Sequence, residues 1–259
     1  MIGRLRERLV GLEAIWRSIR IYHLDRARHR AMDALYRRFV KPGDLVFDIG
    51  AHVGDRVASF RRLGARVVAL EPQPGPARVI RLLRGHDPMV TILPLAAGAR
   101  PGRITLKVNA RNPTVSTASE AFIRSAEGAQ GWEGQVWDRE LEVEVTTLDD
   151  LIARYGEPAF VKIDVEGFED RVLEGLSRPL PALSFEFTTI AREVAHRCLE
   201  RLSALGRYRF DLALGESQKL ELGRWVEAAE MAALVEALPH TANSGDVYAL
   251  LDAGAGGEA

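Results

Sequence analysis

Short runs of β-branched and other apolar residues alternate with helix-like stretches from Asp44 onward, and this alternation constrains the fold most. Strand–helix–strand units of this kind form parallel strands joined by right-handed crossovers, with helices covering both faces of the sheet. The predicted strands cover residues 45–48, 66–70, 90–93, 160–163, 183–187 and 245–251. The predicted helices among them include 55–63 and 76–84. The pattern therefore predicts an α/β fold with a mostly parallel, doubly wound sheet.

A different pattern interrupts this alternation. Residues 103–108 and 141–145 alternate apolar and polar side chains, which predicts an inserted pair of antiparallel strands. Residues 109–138 between them are rich in Ser, Thr, Gly and Trp, and the segment is too long for an ordinary connection. We expect it to form a mobile lid over a ligand site. The lid residues expected to face the ligand are Ser116, Ser119, Trp132 and Trp137.

The first 41 residues differ from the rest in charge. They contain eleven basic and four acidic residues, a net charge of +7, whereas the remainder carries −8. Apolar residues recur there at spacings of three and four, which predicts one stripe of a helix: Ile2, Leu5, Leu9, Leu12, Trp16 and Ile19. A second helix is predicted over 28–39, before the turn sequence KPGD at 41–44.

This basic helical preface has two interpretations. We expect it to pack on the rest of the chain or on a second subunit, so that a homo-oligomer could form through these helices. The residues expected to make this contact are Leu5, Leu9, Leu12 and Trp16. The alternative is a helix that lies in a membrane interface, for which the stripe is short.

Several classes of protein are excluded by composition. Cys198 is the single cysteine, so neither an internal disulfide framework nor a Cys-rich zinc site is expected. No apolar run approaches the ~18 residues of a transmembrane helix, and Glu13 interrupts the early apolar stretch, which argues against a signal peptide. We expect a cytoplasmic protein with a main domain over 42–252 and a disordered Ala/Gly-rich tail over 253–259.

Acidic residues follow four of the predicted strands at their carboxyl ends, where open parallel sheets bind ligands. They are Asp48, Glu71, Asp164 and Glu186. After the first strand, Gly50 and Gly54 allow close backbone approach to a ligand. Glu71 follows Gly50 by 21 residues, a position from which an acid can accept hydrogen bonds from two ribose hydroxyls.

The glycine spacing, Gly-x-x-x-Gly, is not the fingerprint of dinucleotide-binding proteins. The Asp48 carboxylate would repel a pyrophosphate but would suit a cationic ligand. S-adenosylmethionine (SAM) combines an adenosine with an ammonium and a sulfonium and carries no phosphate. The motif therefore favours SAM over NAD.

Three blocks of this sequence resemble the FkbM-type methyltransferases, a family of class I SAM-dependent methyltransferases. They are VFDIGAHVGD at 46–55, LEP at 70–72 and VKIDVEGFE at 161–169. The resemblance covers 42–187, extends more weakly to 245–251, and leaves 1–41 unexplained. It implies a Rossmann-like methyltransferase fold with a terminal antiparallel strand. It also implies O-methylation of a hydroxyl on a sugar, polyketide or related metabolite.

The resemblance implies a cofactor site as well. Asp48, Gly50 and Gly54 would hold the methionine end of SAM, Glu71 the ribose, and the turn at 95–98 the adenine. The further residues expected at the cofactor are Ala51, His52, Pro72, Ala96 and Asp164.

Methyl transfer to a hydroxyl requires a proton acceptor, and Asp164 is our first candidate, with Glu166 second. The two are two positions apart, so an extended backbone would aim both to the same side, and Lys162 could orient Asp164 through a salt bridge. Alternatively, the two acids hold Lys162, cap the following helix or bind the cofactor's ammonium. His52 is an alternative base.

The acceptor is expected to contact Ser116, Trp132 and Glu186. A Mg²⁺ ion could lie between Asp164, Glu166 and an acceptor diol, but two carboxylates alone do not define a metal site, so no metal is predicted.

Two other functions remain open at this point. A SAM-fold protein without catalysis would bind the cofactor and not turn it over. A nucleic-acid methyltransferase would use the basic helices against phosphates, but the rest of the chain is acidic and lacks aromatic stacking motifs. We therefore expect a small-molecule or glycan acceptor, no nucleic-acid partner and no stable membrane insertion.

Overall fold

A computed structural model describes residues 2–252, with side chains from residue 13 onward. The strands are β1 (Leu45–Ile49), β2 (Arg66–Leu70), β3 (Val90–Leu93), β4 (Ala96–Ala97), β5 (Gly102–Val108), β6 (Arg139–Thr146), β7 (Phe160–Ile163), β8 (Ala182–Thr188), β9 (Tyr208–Leu214) and β10 (Ser244–Leu251). The α-helices are α1 (Ile2–His23), α2 (Arg26–Tyr36), α3 (Asp55–Arg62), α4 (Pro74–Arg84), α5 (Glu120–Ala126), α6 (Leu148–Tyr155), α7 (Glu169–Glu174), α8 (Arg192–Leu205) and α9 (Ala228–Ala237). The tail predicted over 253–259 lies outside the described residues.

The main sheet has the strand order β3-β2-β1-β7-β8-β10-β9. β10 runs antiparallel to β8 and β9, and the other neighbouring pairs are parallel. Each sheet strand predicted from the sequence is present with bounds that agree within one residue. The predicted fold class, including its terminal antiparallel strand, is confirmed. The strand order reverses between β1 and β7, which places a topological switch point there.

Helices cover both faces of this sheet because neighbouring residues of a strand point to opposite sides. Val46 of β1 packs in a core with α2, α3 and α4, which contribute Tyr36, Phe60 and Ile80. Phe47, the next residue, packs in a second core with α6, α7, α8 and α9. The central strands are therefore buried on both sides, as their nearly continuous apolar sequence requires.

The inserted segment builds a second, smaller sheet of order β4-β6-β5. β5 and β6 are antiparallel, which confirms the predicted pair. The segment 109–138 between them is folded rather than irregular, with a 3-10 turn (Pro113–Val115), helix α5 and the buried side chains of Phe122 and Trp132. The rings of Phe122 and Trp132 meet edge to face with centroids 5.1 Å apart. The predicted mobility of this segment stays a prediction.

The second helix of the preface is part of the main core. Met32, Leu35 and Tyr36 of α2 are at most 4% exposed and pack against α3 and the sheet. The Asp25 side chain accepts hydrogen bonds from the backbone N–H groups of Ala27 and Arg28 and so caps the start of α2.

The middle of helix α1 faces the body with small residues. Ala14 and Ser18 are buried, at 3% and 4% exposure, whereas Trp16 is 65% exposed. Trp16 therefore does not pack on the rest of the chain, because the small side chains turn the indole outward, and its predicted contact with a second subunit stays a prediction. The side chains of Leu5, Leu9 and Leu12 lie outside the described residues. No helix within 2–252 is long and apolar enough to cross a membrane.

Candidate active site

A cleft of about 300 Å³ opens at the carboxyl ends of β1, β2, β7 and β8, beside the switch point of the sheet. Concave sites of this kind at this position are where α/β sheets bind small molecules. Segment 109–138, the second sheet and helix α1 complete its walls.

Strand register sets the polar residues of the cleft side by side. Asp48 of β1 pairs with Lys162 of β7, so their side chains emerge on the same face. β7 and β8 are aligned so that Asp164 and Glu186 are also neighbours, one step further towards the cleft. Asp246 of β10 pairs directly with Glu186. The sheet therefore gathers acidic residues that are far apart in the sequence.

The glycine turn after β1 lies against the turn after β7. Gly50 has a φ of 84°, and a Cβ atom there would stand 1.8 Å from the Asp164 carbonyl oxygen, so only glycine fits. Gly54, by contrast, does not line the cleft. It precedes α3, where a Cβ would lie 3.1 Å from Ile80 of α4. The structure therefore gives Gly54 a packing role between α3 and α4, and its predicted cofactor contact stays a prediction.

Glu71 is buried at the end of β2 and organises the glycine turn. Its two carboxylate oxygens accept hydrogen bonds from the backbone N–H groups of His52 and Gln73, each at 2.8 Å. Burial raises the pKa of Glu71 to about 8, although these two hydrogen bonds act in the opposite direction. Each oxygen retains a second lone pair, so Glu71 can still receive ribose hydroxyls.

His52 follows the turn with a φ of 46° and lines the cleft. Burial lowers the pKa of its imidazole to about 4, so the ring is neutral near pH 7. The ring of Tyr22 from α1 meets it edge to face, with centroids 5.6 Å apart. The neutral imidazole of His52 therefore forms part of the cleft wall and can act as a proton acceptor.

The carboxylate of Asp48 is buried and is not fully hydrogen-bonded. It is 2% exposed, and its Oδ2 atom is buried without a hydrogen-bond partner among the described residues. Burial raises the pKa of Asp48 to about 7, with the nearby Asp55 acting in the same direction. A buried carboxylate without a partner is costly, so a cationic group next to it would be favourable. The ammonium and sulfonium of SAM fit this requirement, and a pyrophosphate does not.

Asp164 forms the centre of the cleft floor. Lys162 Nζ lies 3.1 Å from Asp164 Oδ2 and 2.6 Å from Asp246 Oδ1. Burial favours the neutral form of Asp164, but the Lys162 ammonium and the Arg56 guanidinium outweigh it and hold the pKa of Asp164 below its usual value. The predicted salt bridge from Lys162 is present. The structure thus keeps the Asp164 carboxyl ionised at the floor of the cleft.

Glu166 and Glu186 face the same point as Asp164. One carboxylate oxygen from each of the three residues lies within 4.8 Å of the others. Burial and the charge of Asp164 raise the pKa values of Glu166 and Glu186 well above the usual range. Glu166 converges with Asp164 through a left-handed turn residue with φ 55°, not through the extended backbone that the sequence suggested.

The turn itself is held by Glu169, which sequence reasoning did not single out. Its carboxylate accepts hydrogen bonds from the backbone N–H groups of Val165 and Gly167 at 3.0 and 3.3 Å. Glu169 therefore holds this turn, and neither Asp164 nor Glu166 caps the helix that follows it. This leaves the other two carboxylates directed into the cleft.

Segment 109–138 brings some of its predicted residues to the cleft. Ser116 lines it, and its hydroxyl donates to Gln73 Oε1 at 3.1 Å. Trp132 also lines it, and its buried Nε1 has no hydrogen-bond partner among the described residues. Ser119 instead caps α5, and Trp137 donates to the Val115 carbonyl, so neither is among the residues of the cleft wall.

Most of the predicted site residues thus meet in one cleft. Those lining it are Asp48, Gly50, Ala51, His52, Glu71, Pro72, Ala96, Ser116, Trp132, Asp164, Glu166 and Glu186. The turn predicted to hold adenine contributes Leu95, Ala96 and Ala97.

Sequence reasoning missed a charged cluster beside the cleft, in which Arg28 of α2 pairs with two acids that line the cleft, Asp55 and Glu216. Arg28 Nη2 lies 3.1 Å from Asp55 Oδ2, and Glu216 pairs with both Arg28 and Arg56. The Arg28 guanidinium also lies 4.6 Å from the centre of the Tyr22 ring. The excess of arginine in the first 41 residues was the signal, but its partners lie on elements far along the chain.

The fold and the cleft define a class I methyltransferase, with a parallel sheet, a glycine turn after the first strand and acids at the strand ends. A sequence model described as the methyltransferase FkbM domain matches residues 48–212, more than half of the chain. The chain belongs to the FkbM methyltransferase family, and its methyl donor is S-adenosylmethionine. A comparison with curated protein sequences gives no match.

Solved structures of several methyltransferases are similar to this chain. A precorrin-6y C5,15-methyltransferase from Geobacter metallireducens is 13% identical, with a TM-score of 0.46 over 88% of this chain and 91% of that one. An O-methyltransferase from Bacillus cereus in complex with SAH is 12% identical, with a TM-score of 0.46 over 95% and 90%. A TehB-like SAM-dependent methyltransferase from Corynebacterium glutamicum is 10% identical, with a TM-score of 0.46 over 96% and 99%. None of these likenesses assigns a substrate to this chain.

Proposed function

We propose that this protein is an O-methyltransferase that methylates a hydroxyl of a sugar, a polyketide or a related metabolite. The observation that carries the proposal is the convergence of Asp164, Glu166 and Glu186 on one point of the cleft. A hydroxyl must lose its proton when it is methylated, and carboxylates at the transfer point supply acceptors for it.

Each residue has a role that follows from its position in the cleft. When bound, SAM supplies a methyl group on a sulfonium, so that an O–CH₃ bond forms as the S–CH₃ bond breaks and its electron pair stays on sulfur. Asp48 and Glu71 hold the cofactor, and Asp164 accepts the proton of the acceptor hydroxyl. Asp164 suits this role because Lys162 keeps it ionised and its side chain is 29% exposed.

The shape and charge of the cleft support a small, neutral acceptor. Its floor carries several carboxylates, which would repel the phosphates of a nucleic acid. Segment 109–138 covers one side with Ser116 and the indole of Trp132, a combination suited to a hydroxylated ring.

A turnover screen tests the proposal. The protein is incubated with SAM and with panels of sugars, polyketides and short RNAs, and the products are analysed by mass spectrometry with localisation of the methyl group. Methylation of oxygen on a small acceptor is the expected outcome. Methylation of RNA, of nitrogen or of carbon would contradict the proposal. Binding of S-adenosylhomocysteine (SAH) without turnover of any panel would instead favour a catalytically silent binding protein.

A further inference from the structure

The three carboxylates of Asp164, Glu166 and Glu186 lack sufficient positive charge around them. Lys162 is shared between Asp164 and Asp246. Glu166 and Glu186 form no ion pair with any residue that the structure describes. Three acids that meet within 4.8 Å therefore have one ammonium in contact, and that ammonium has a second carboxylate to neutralise.

Hydrogen bonds satisfy the two glutamates only in part, and the one side-chain partner among the described residues is Asp164, which hydrogen-bonds with Glu186. Glu166 is 6% exposed and lines the cleft, yet its carboxylate accepts no hydrogen bond within the described part of the chain. The Oε2 atom of Glu186 is fully buried and likewise has no partner there. Carboxylate oxygens buried in this way are costly unless a cation or donors reach them.

A separate polar group next to the cluster is also unsatisfied. Thr188 is 4% exposed and lines the same cleft, and its Oγ1 has no hydrogen-bond partner among the described residues. It lies two positions after Glu186 on β8, on the same face of the strand. Its free hydroxyl can donate to a water molecule or to a ligand bound at the cluster.

We propose that Asp164, Glu166 and Glu186 bind one divalent cation, Mg²⁺ in its physiological form. An all-oxygen set of carboxylates selects Mg²⁺, Ca²⁺ or Mn²⁺ over softer metals. At a metal–oxygen distance of about 2.1 Å, octahedral ligands stand about 3 Å apart when adjacent and about 4.2 Å apart when opposite. The three oxygens need to move little to reach this spacing, and three of the six positions stay open.

The open positions determine what the cation does, and this step rests on the proposed function. They face the cleft, so a hydroxyl of the acceptor can replace a bound water. Coordination to Mg²⁺ lowers the pKa of the hydroxyl and fixes its oxygen for attack, and the proton passes to the Asp164 carboxylate oxygen that does not bind the ion. The acceptor class then narrows to molecules with two neighbouring oxygen atoms, such as a vicinal diol, which can chelate the ion.

Cation binding is measured on the ligand-free full chain with Mn²⁺ as the probe, by electron paramagnetic resonance of free Mn²⁺ during titration. Wild-type protein should bind one Mn²⁺ that Mg²⁺ displaces. Glu166→Gln and Glu186→Gln should each weaken binding at least about tenfold, since substitutions outside the ligand shell already cost that much. Glu144→Gln, which removes an exposed carboxylate of β6, is the matched control and should bind as the wild type does.

Thermal unfolding shows whether a variant that fails to bind Mn²⁺ is still folded. Mn²⁺ should raise the Tm of the wild type and of Glu144→Gln, and leave those of Glu166→Gln and Glu186→Gln unchanged. Absence of Mn²⁺ binding by wild-type protein that binds SAH would overturn the metal site and leave the proposed function standing. Equal binding by all variants would also overturn it, because the ion would lie elsewhere. Failure of the acceptor screen alone would affect only the proposed function.

Discussion

Lys162 Nζ lies 3.1 Å from Asp164 Oδ2, so an ammonium that is 1% exposed fixes the carboxylate at the centre of the cleft. The same ammonium is 2.6 Å from Asp246 on the antiparallel strand β10. The position of β10 between β8 and β9 thus has a chemical consequence, because it supplies the second acid that keeps a buried lysine charged.

Asp164→Asn tests Asp164 as the proton acceptor. The amide preserves the shape of the side chain but cannot take up the proton, so kcat should fall by about 10²–10⁴ with little change in SAH affinity. The measurement is steady-state turnover of a confirmed acceptor, paired with calorimetric titration of SAH. Full activity of Asp164→Asn would move the base to Glu166, His52 or Glu186. Loss of SAH binding would assign Asp164 to the methionine end of the cofactor.

Lys162→Met tests the ammonium between the two acids. The substitution leaves Asp164 and Asp246 buried without their shared cation, and breaking a buried pair from one side costs about 3–5 kcal/mol of unfolding free energy. Urea unfolding at neutral pH should show this loss. The double variant Lys162→Met/Asp246→Asn removes one of the orphaned charges and should recover part of the stability. An unchanged midpoint for Lys162→Met would show that the cation is not needed.

The central strands of the main sheet were predictable because they are buried on both faces, and their apolar runs end at Gly, Pro or acidic residues. β9 was not predicted, since Arg209 and Asp211 interrupt its apolar pattern at the edge of the sheet. The acids at the strand ends were also predictable one by one. Their convergence was not, because it depends on the register of β7 with β8 and on β10 entering from the far end of the chain.

Segment 109–138 has a packing role that its sequence does not reveal. Its Ser, Thr and Gly content predicts a mobile lid, and that mobility stays a prediction. Phe122 is buried in the main core, and Trp132 both packs there and lines the cleft. An apolar residue isolated among polar ones has no periodicity, so its partner cannot be identified without the tertiary fold.

Glu71→Ala tests the ribose site. The change removes the acceptor for the ribose hydroxyls and also leaves the N–H groups of His52 and Gln73 without their partner. Affinity for SAH should therefore fall, and unfolding free energy should fall by about 1–3 kcal/mol. Calorimetric titration measures the first effect and urea unfolding the second. Unchanged SAH affinity would mean that Glu71 organises the turn without touching the cofactor.

Asp48→Asn tests the buried acid through pH. The folded-state pKa of Asp48 is about 7 against an ordinary 3.8, so between these values the folded protein holds a proton that the unfolded chain has released. The contribution of Asp48 to stability is therefore complete at low pH and declines as pH rises towards 7. Relative to wild type, Asp48→Asn should gain stability across this window in thermal unfolding without ligand.

The ionisation of Asp48 should strengthen SAM binding as pH rises, whereas it lowers the stability of the ligand-free protein. The ionised carboxylate attracts the cationic cofactor, so SAM affinity of the wild type should strengthen as pH rises through about 7. Asp48→Asn should bind SAM more weakly and lose this part of the pH dependence. A variant with unchanged SAM affinity at pH 8 would contradict the assignment of Asp48 to the cationic end of SAM.

Met32→Ala tests whether the N-terminal helices belong to the body of the protein. Met32 of α2 is fully buried in the core that α2 shares with α3, so truncating its side chain should cost about 2–5 kcal/mol of unfolding free energy. Trp16→Ala is the control from the preceding helix, and its exposed indole should contribute within about 0.5 kcal/mol. Urea unfolding of the two variants, with oligomeric state followed by light scattering, makes the comparison.

A chain that begins at Lys41 lacks the whole of α2 and should fail to fold. If that shortened chain is instead stable and active and loses only binding to liposomes, the helices serve a membrane surface and not the core.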